Sequence, residues 1–181
     1  MSDMTRRAVV AVSLVALVGI GAVTPAAGAT TADAPERSVV VDVHEDGSAT
    51  VTMTATFDLT SENESDAFEQ LTNDQQARER LRDRFRDRMQ GVAASAANAT
   101  GREMSITDAS IDLRTVGSTG VVELSVTWDG LAAVEGDALT ITEPFASGFT
   151  PDRPVTLVVP DGYAVTSMAP AADSSLDGTA T

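Results

Sequence analysis

The segment Ala49-Thr50-Val51-Thr52-Met53-Thr54-Ala55-Thr56-Phe57-Asp58-Leu59 decides the fold. Val51, Met53, Ala55, Phe57 and Leu59 fall on one side of a period-two pattern. Thr50, Thr52, Thr54, Thr56 and Asp58 fall on the other. An alternation of this length predicts a long strand with one buried face and one wet, threonine-lined face. The valine-rich run 38–44 precedes it, and Glu45-Asp46-Gly47-Ser48 lies between, with Asp-Gly at its centre. Strand, turn and strand predict a β-hairpin.

Downstream the period changes. Ala77, Leu81, Phe85 and Met89 recur every four residues and continue into Val92, Ala93 and Ala96. This is the single apolar stripe of a helix running from about Asn73 to Ala97, closed by Gly101. A shorter helix is expected over 66–71, anchored by Phe68 and Leu71. Capping boxes are expected at 61–64 and 72–75. Strand patterns resume at Glu103. Met104, Ile106, Ile111 and Leu113 form one arm, with a bulge expected near Asp108, where the alternation shifts. After the turn 117–120, Val122, Leu124, Val126 and Trp128 alternate along the next arm. Residues 130–148 are irregular, apart from a short strand at 138–142. Residues 154–159, the turn Pro160-Asp161-Gly162 and residues 163–168 predict a last hairpin. The expected fold is α+β, an antiparallel sheet of hairpins packed against one long amphipathic helix in the order β-β-α-β-β-β-β.

The N-terminus reads as an export signal. Arg6 and Arg7 precede an uncharged apolar stretch, residues 8–23, and Ala27-Gly28-Ala29 supplies a small-residue site with cleavage after Ala29. The alternative is an uncleaved anchor, although the stretch is short for a spanning helix, which needs about 20 residues. The arginine pair fits either general secretion or a loose twin-arginine signal. The expected organisation is a signal peptide at 1–29, a disordered linker at 30–37, one extracytoplasmic domain at 38–169 and a flexible or truncated tail at 170–181.

The chain has no lysine. Its 12 basic residues are all arginine, against 27 Asp plus Glu, for a net charge of −15. Acid excess with lysine loss predicts a halophilic hydration surface, able to keep a protein soluble where salt screens charge to within about 3 Å. Cysteine is absent, which excludes disulfides, thiol nucleophiles and cysteine-based metal sites.

Half of the arginines lie in one segment, at Arg78, Arg80, Arg82, Arg84, Arg86 and Arg88, interleaved with Glu79, Asp83 and Asp87. An arginine-rich helix suggests nucleic acid, but the interleaved carboxylates and the acid excess elsewhere favour a solvated helix face with ion pairs at i±3. No nucleic-acid partner is expected. His44, the one histidine, stands beside Glu45 and Asp46, with no G-x-S-x-G or H-E-x-x-H motif anywhere in the chain. It is read as a strand-end residue. The acidic groups Glu62, Glu64 and Asp66, and Glu135 and Asp137, lack a regular calcium-loop spacing. No catalytic residue, cofactor or metal site is expected. Asn63-Glu64-Ser65 and Asn98-Ala99-Thr100 are sequons, making Asn63 and Asn98 the glycosylation candidates; Asn63 is expected in a loop and Asn98 near the helix end.

Three further groups carry a resemblance. They are Asn98-Ala99-Thr100-Gly101-Arg102-Glu103-Met104 after the Phe85–Met89 helix, Trp128 followed by residues 132–137, and Pro160-Asp161-Gly162-Tyr163. Over residues 38–178 the chain resembles an uncharacterised domain family of exported and membrane-anchored proteins from halophilic archaea. Members often continue into a further strand, a transmembrane helix and sometimes a winged-helix domain. The resemblance implies an extracytoplasmic domain and brings no catalytic residues. The expected role is a non-enzymatic binding or sensory module at the cell surface of a halophile; the alternative is a glycosylated structural or accessory protein of the envelope. The expected partner is an envelope protein or glycan, with membrane contact only through an uncleaved signal segment.

Overall fold

A computed structural model describes residues 36–145 and 154–167, and the backbone of residues 175–176 and 179–180. The signal segment with its Ala29 site, the linker up to residue 35 and most of the tail lie outside the described residues.

The opening hairpin forms as its alternation requires. β1 (Ser38–Val43) pairs antiparallel with β2 (Ala49–Asp58), from Ser38 opposite Thr54 to Val43 opposite Ala49. The chain then enters α1 (Glu62–Asn73) and α2 (Gln75–Thr100). Both helices are longer than their apolar anchors alone indicate. Ser61 is the N-cap of α1 but makes no side-chain cap bond, so the expected capping box does not form. Glu64 instead reaches back to accept the Asp58 N–H at 2.7 Å, tying the helix to the end of β2. Asp74, not Thr72, caps α2, accepting the Ala77 N–H at 3.1 Å. Gly101 ends α2 in the left-handed conformation at φ 72, as expected of a helix-terminating glycine.

β3 (Ser105–Val116) and β4 (Thr119–Asp129) follow as a second hairpin. Its register shifts between Thr107 and Ser110, and Asp108 sits there at φ 48. Ile106 and Ile111 are an odd number of residues apart and in a regular strand would face opposite sides. The extra residue of the bulge returns both to the core side, opposite Trp128 and Leu124.

β2 pairs with β4, which joins the two hairpins. Ala49, Val51 and Met53 stand opposite Trp128, Val126 and Leu124, and β3 adds Ile106 and Ile111 in the same rows. The helices cover this apolar face. Phe85, Ala93 and Ala96 of α2 are buried in its core, and Phe68 of α1 packs against Phe57 with ring centroids 5.8 Å apart.

Three features correct the expected sheet. Residues 154–159 do not fold back on residues 163–168. Instead β7 (Val155–Val158) runs parallel to β1, so the sheet is mixed. β1 has one edge free once β2 takes the other. Parallel pairing sets Val155 and Leu157 in register with Val39 and Val41 and extends the apolar face. Tyr163 and Val165 pack partly buried against the core rather than forming a second arm. Secondly, the irregular region contains its own small hairpin, β5 (Ala133–Glu135) with β6 (Ala138–Thr140). Leu131, Leu139 and Ile141 around it are buried in the core. Thirdly, two dipeptide strands from the C-terminal residues, β8 (Ser175–Leu176) and β9 (Thr179–Ala180), continue the sheet beyond β7. The strand order is β3-β4-β2-β1-β7-β9-β8. Among the described residues no helix is long and apolar enough to cross a membrane.

Candidate functional site

Both helices pack on the apolar side of the sheet, and the other face carries the threonines and serines. The register of β2, β3 and β4 arranges it in rows. Thr50, Thr127 and Thr107 share one row, and Thr52, Ser125 and Ser110 the next. Strands stand about 4.8 Å apart and same-face residues about 7 Å apart along a strand, so these six hydroxyls form a shallow two-dimensional grid. The Ser110 and Ser125 hydroxyls bond to each other at 2.8 Å. Asp129, at the end of the grid, accepts from the hydroxyls of Ser105 at 3.1 Å and Thr107 at 3.3 Å.

The grid has a charged border. The next row is Thr54, Glu123 and Asp112, followed by Thr56, Val121 and Arg114. Arg114 forms an ion pair with Glu123 that crosses the two rows. The hydrogen bond from Arg114 to Glu123 raises the guanidinium pKa above its ordinary value, and Asp112 adds to the effect. The face is not uniformly wet, as the threonine alternation alone implied. Thr54 is only 5% exposed and Val121 is fully buried. Thr50, Thr52, Thr56, Ser125 and Thr127 are half-buried.

His44 stands at one end of this face with the β1–β2 turn. Ser48 donates its hydroxyl proton to Asp46 at 2.6 Å, and its backbone N–H bonds the same oxygen at 2.9 Å. The Ser48 oxygen also contacts His44 Nδ1 at 2.9 Å. A hydroxyl has one proton, so with that proton on Asp46 the nitrogen Nδ1 must be the donor to Ser48. In the neutral ring Nε2 is then the acceptor facing the Thr50 hydroxyl at 3.4 Å. A nucleophilic serine needs the imidazole to take its proton. Here the carboxylate occupies that place, and the three side chains secure a tight turn. Asp46 with Ser48 two residues later is an Asx-type turn, a signal present in the sequence.

The Ser48 hydroxyl and N–H hold the Asp46 carboxyl below the usual carboxylate range. A depressed folded-state pKa adds stability that is complete above the unfolded value, about 3.9. That increment is lost as pH falls through the lower folded value. Asp46→Asn is therefore expected to lower stability at neutral pH by less than about 1 kcal/mol, since the carboxylate is exposed and screened. Between pH 5 and pH 3, roughly the carboxylate titration range, the variant's stability should fall less steeply with acid than the parent's. Urea midpoints at several pH values read both effects, and parallel pH profiles would contradict the assignment.

The remaining candidates do not gather into a site. No cluster of three or more His, Asp or Glu suited to a metal ion occurs among the described residues. Glu64 is engaged by the Asp58 N–H, while Glu135 and Asp137 lie exposed on the small β5–β6 hairpin. The arginine segment holds ion pairs, but with partly different partners from the expected i±3 set. Arg86 forms an ion pair with Asp83 at i,i+3 but donates its hydrogen bonds to its neighbour Asp87, while Arg82 pairs with its neighbour Asp83 and Arg80 with Asp74. Arg78 has a role not evident in the pattern: it donates to the carbonyls of Leu71 at 2.8 Å and Thr72 at 2.6 Å, closing the C-terminal end of α1. Asn63 is exposed, in the first turn of α1 rather than in a loop. Asn98 is exposed within the last turn of α2, which extends to Thr100, and Gly101 supplies the left-handed cap.

No curated protein sequence and no solved structure matches the chain. A family model does. The domain of unknown function DUF7345 matches residues 40–163, from the first strand through the turn after β7, more than half of the chain, and the chain belongs to that family.

Proposed function

We propose that this domain is a non-enzymatic binding or sensory module, acting outside the cytoplasm at the surface of a halophile. The observation that carries the reading is the hydroxyl grid of Thr50, Thr52, Thr107, Ser110, Ser125 and Thr127, on the face opposite the helices. A shallow grid of neutral donors and acceptors suits a polar, extended partner such as an envelope glycan or a hydrophilic protein surface. Such contacts do not depend on ion pairing, which molar salt would weaken. The hydrogen bonding of His44 and Ser48, with the serine proton committed to Asp46, favours binding over catalysis. The N-terminal apolar stretch and the net charge of −15 without lysine support the address.

The test is binding of the purified chain to isolated halophile envelopes in about 1 M salt. A variant carrying Thr52→Arg and Thr127→Arg, placed in the two hydroxyl rows, should bind about tenfold more weakly or worse. Arg88→Ala, an exposed change on α2, should bind as the parent does. No binding by the parent, or equal binding by the grid variant, would sink the reading. Exposure of both sequon asparagines, Asn63 and Asn98, favours a second reading, a glycosylated structural protein of the envelope. Intact mass of the natively expressed protein decides that point.

A further inference from the structure

We propose that the outer edge of β3 pairs with the same edge of a second copy, in an antiparallel arrangement whose twofold axis passes through Leu113. β3 ends the sheet, and no described strand pairs with its outer side. Three features of that edge bear on the centre: the backbone direction permits it, and the length and the charge select it.

The first is the direction of the backbone groups. The loop between β3 and β4 is two residues, Gly117 and Ser118, with Val116 opposite Thr119. Gly117 is at φ 59 and Ser118 is not among the positive-φ residues, the order that a type II′ turn needs. The pair closing such a turn is hydrogen-bonded, and the pattern then alternates along the ladder. Residues 116, 114, 112 and 110 therefore turn their N–H and C=O groups toward β4. Residues 111, 113 and 115 turn theirs outward. A twofold axis at Leu113 sets Leu113 against its own copy and Ile111 against Thr115 of the second copy. Every outward group on these residues then meets one from the other chain.

The second feature is length. The straight run between the bulge and the turn is Ser110 to Val116, and its midpoint is Leu113. Any other centre leaves part of the run unpaired or drives it into the bulge.

The third is charge. Asp112 stands directly opposite Glu123 on β4, an unfavourable like-charge pair. Arg114 pairs with Glu123 within the chain, and the other flank of Asp112 is exposed. An axis at Leu113 places Arg114 of the second copy opposite Asp112, and the reverse, on the polar face. Edge charges commonly block strand addition, but opposite signs arranged symmetrically about a centre match an antiparallel copy. Half-buried Leu113 would meet its own copy on the apolar face. The grids of the two copies would join across one sheet.

Sedimentation equilibrium of the full chain tests this. Each copy carries −15, so association should strengthen as salt rises and screens the mutual repulsion. In about 1 M salt a dimer is expected below about 0.1 mM chain. Asp112→Arg makes the net charge less negative and Arg114→Asp makes it more negative. Both should nevertheless weaken dimerisation about tenfold, because each brings like charges together at two symmetric contacts. The double swap, Asp112→Arg with Arg114→Asp, keeps the net charge and should restore the parental dimer. Thr115→Pro removes an outward N–H while sparing the bonds to β4, and should abolish the dimer with far-UV circular dichroism unchanged. A monomer at all salts, single swaps whose effects follow net charge, or a dimer indifferent to Thr115→Pro would each overturn the proposal.

Discussion

Gly130→Ala is expected to destabilise the domain by about 3–5 kcal/mol, enough to unfold much of a marginally stable protein. Two effects add. Gly130 is at φ 73, where a side chain costs about 1–2 kcal/mol. A Cβ there would also lie 2.3 Å from the Glu103 carbonyl oxygen. That oxygen is backbone, so relief requires the entry to β3 and the exit from β4 to move apart. Arg102 resists this movement: it donates to the carbonyls of Gly130 at 3.4 Å and Leu131 at 2.8 Å, clamping the end of α2 to the same corner. Gly101→Ala supplies the control. Gly101 has nearly the same φ, 72, but nothing within 4 Å of an added Cβ. Its substitution should cost only the backbone term, about 1 kcal/mol. Urea unfolding of both variants, followed by circular dichroism, separates conformational strain from collision. Equal losses would mean that the close approach at Glu103 contributes nothing.

Gly130 also shows where sequence reading stops. As a residue in an irregular stretch it reads as one more loop glycine. Its importance comes from Glu103, far away in the chain, and no local pattern reports that distance. The features that were legible share one property: their cause is local and periodic. The threonine alternation of β2 specified both faces of a strand before any partner was known. The bulge at Asp108 was legible because Ile106 and Ile111 are oddly spaced yet both apolar. The stripe from Ala77 to Ala96 specified the helix and the side it buries. What was missed depends on partners distant in sequence. Parallel pairing of Val39 with Val155 leaves no periodic trace, and the following Pro-Asp-Gly turn suggested a hairpin that the core contacts of Tyr163 and Val165 override. The candidate face divides in the same way. Its threonines are visible in sequence, while the burial of Thr54 and the grid with Ser110 and Ser125 exist only once β3, β4 and β2 are aligned.

Trp128 is the remaining large effect, and its two substitutions should diverge. It is the one tryptophan of the chain, 2% exposed, on β4 opposite Ala49 and Ile106. Its indole N–H is buried without a hydrogen-bond partner among the described residues. Trp128→Ala removes the ring from the middle of the core and should cost about 3–5 kcal/mol. Trp128→Phe keeps most of the apolar contact and deletes the unpaired donor. An unsatisfied buried donor costs about 1–3 kcal/mol, so its loss should offset much of the lost volume and leave the Phe variant within about 1 kcal/mol of the parent. Urea midpoints from circular dichroism make the comparison, since neither variant retains the indole. The parent has its own reporter: a buried lone indole should emit at short wavelength, resist quenching by iodide and shift to the red in one step on unfolding. A Phe variant as unstable as the Ala variant would show that the N–H is satisfied after all. The core at Trp128 would then hold the indole for its polar atom rather than in spite of it.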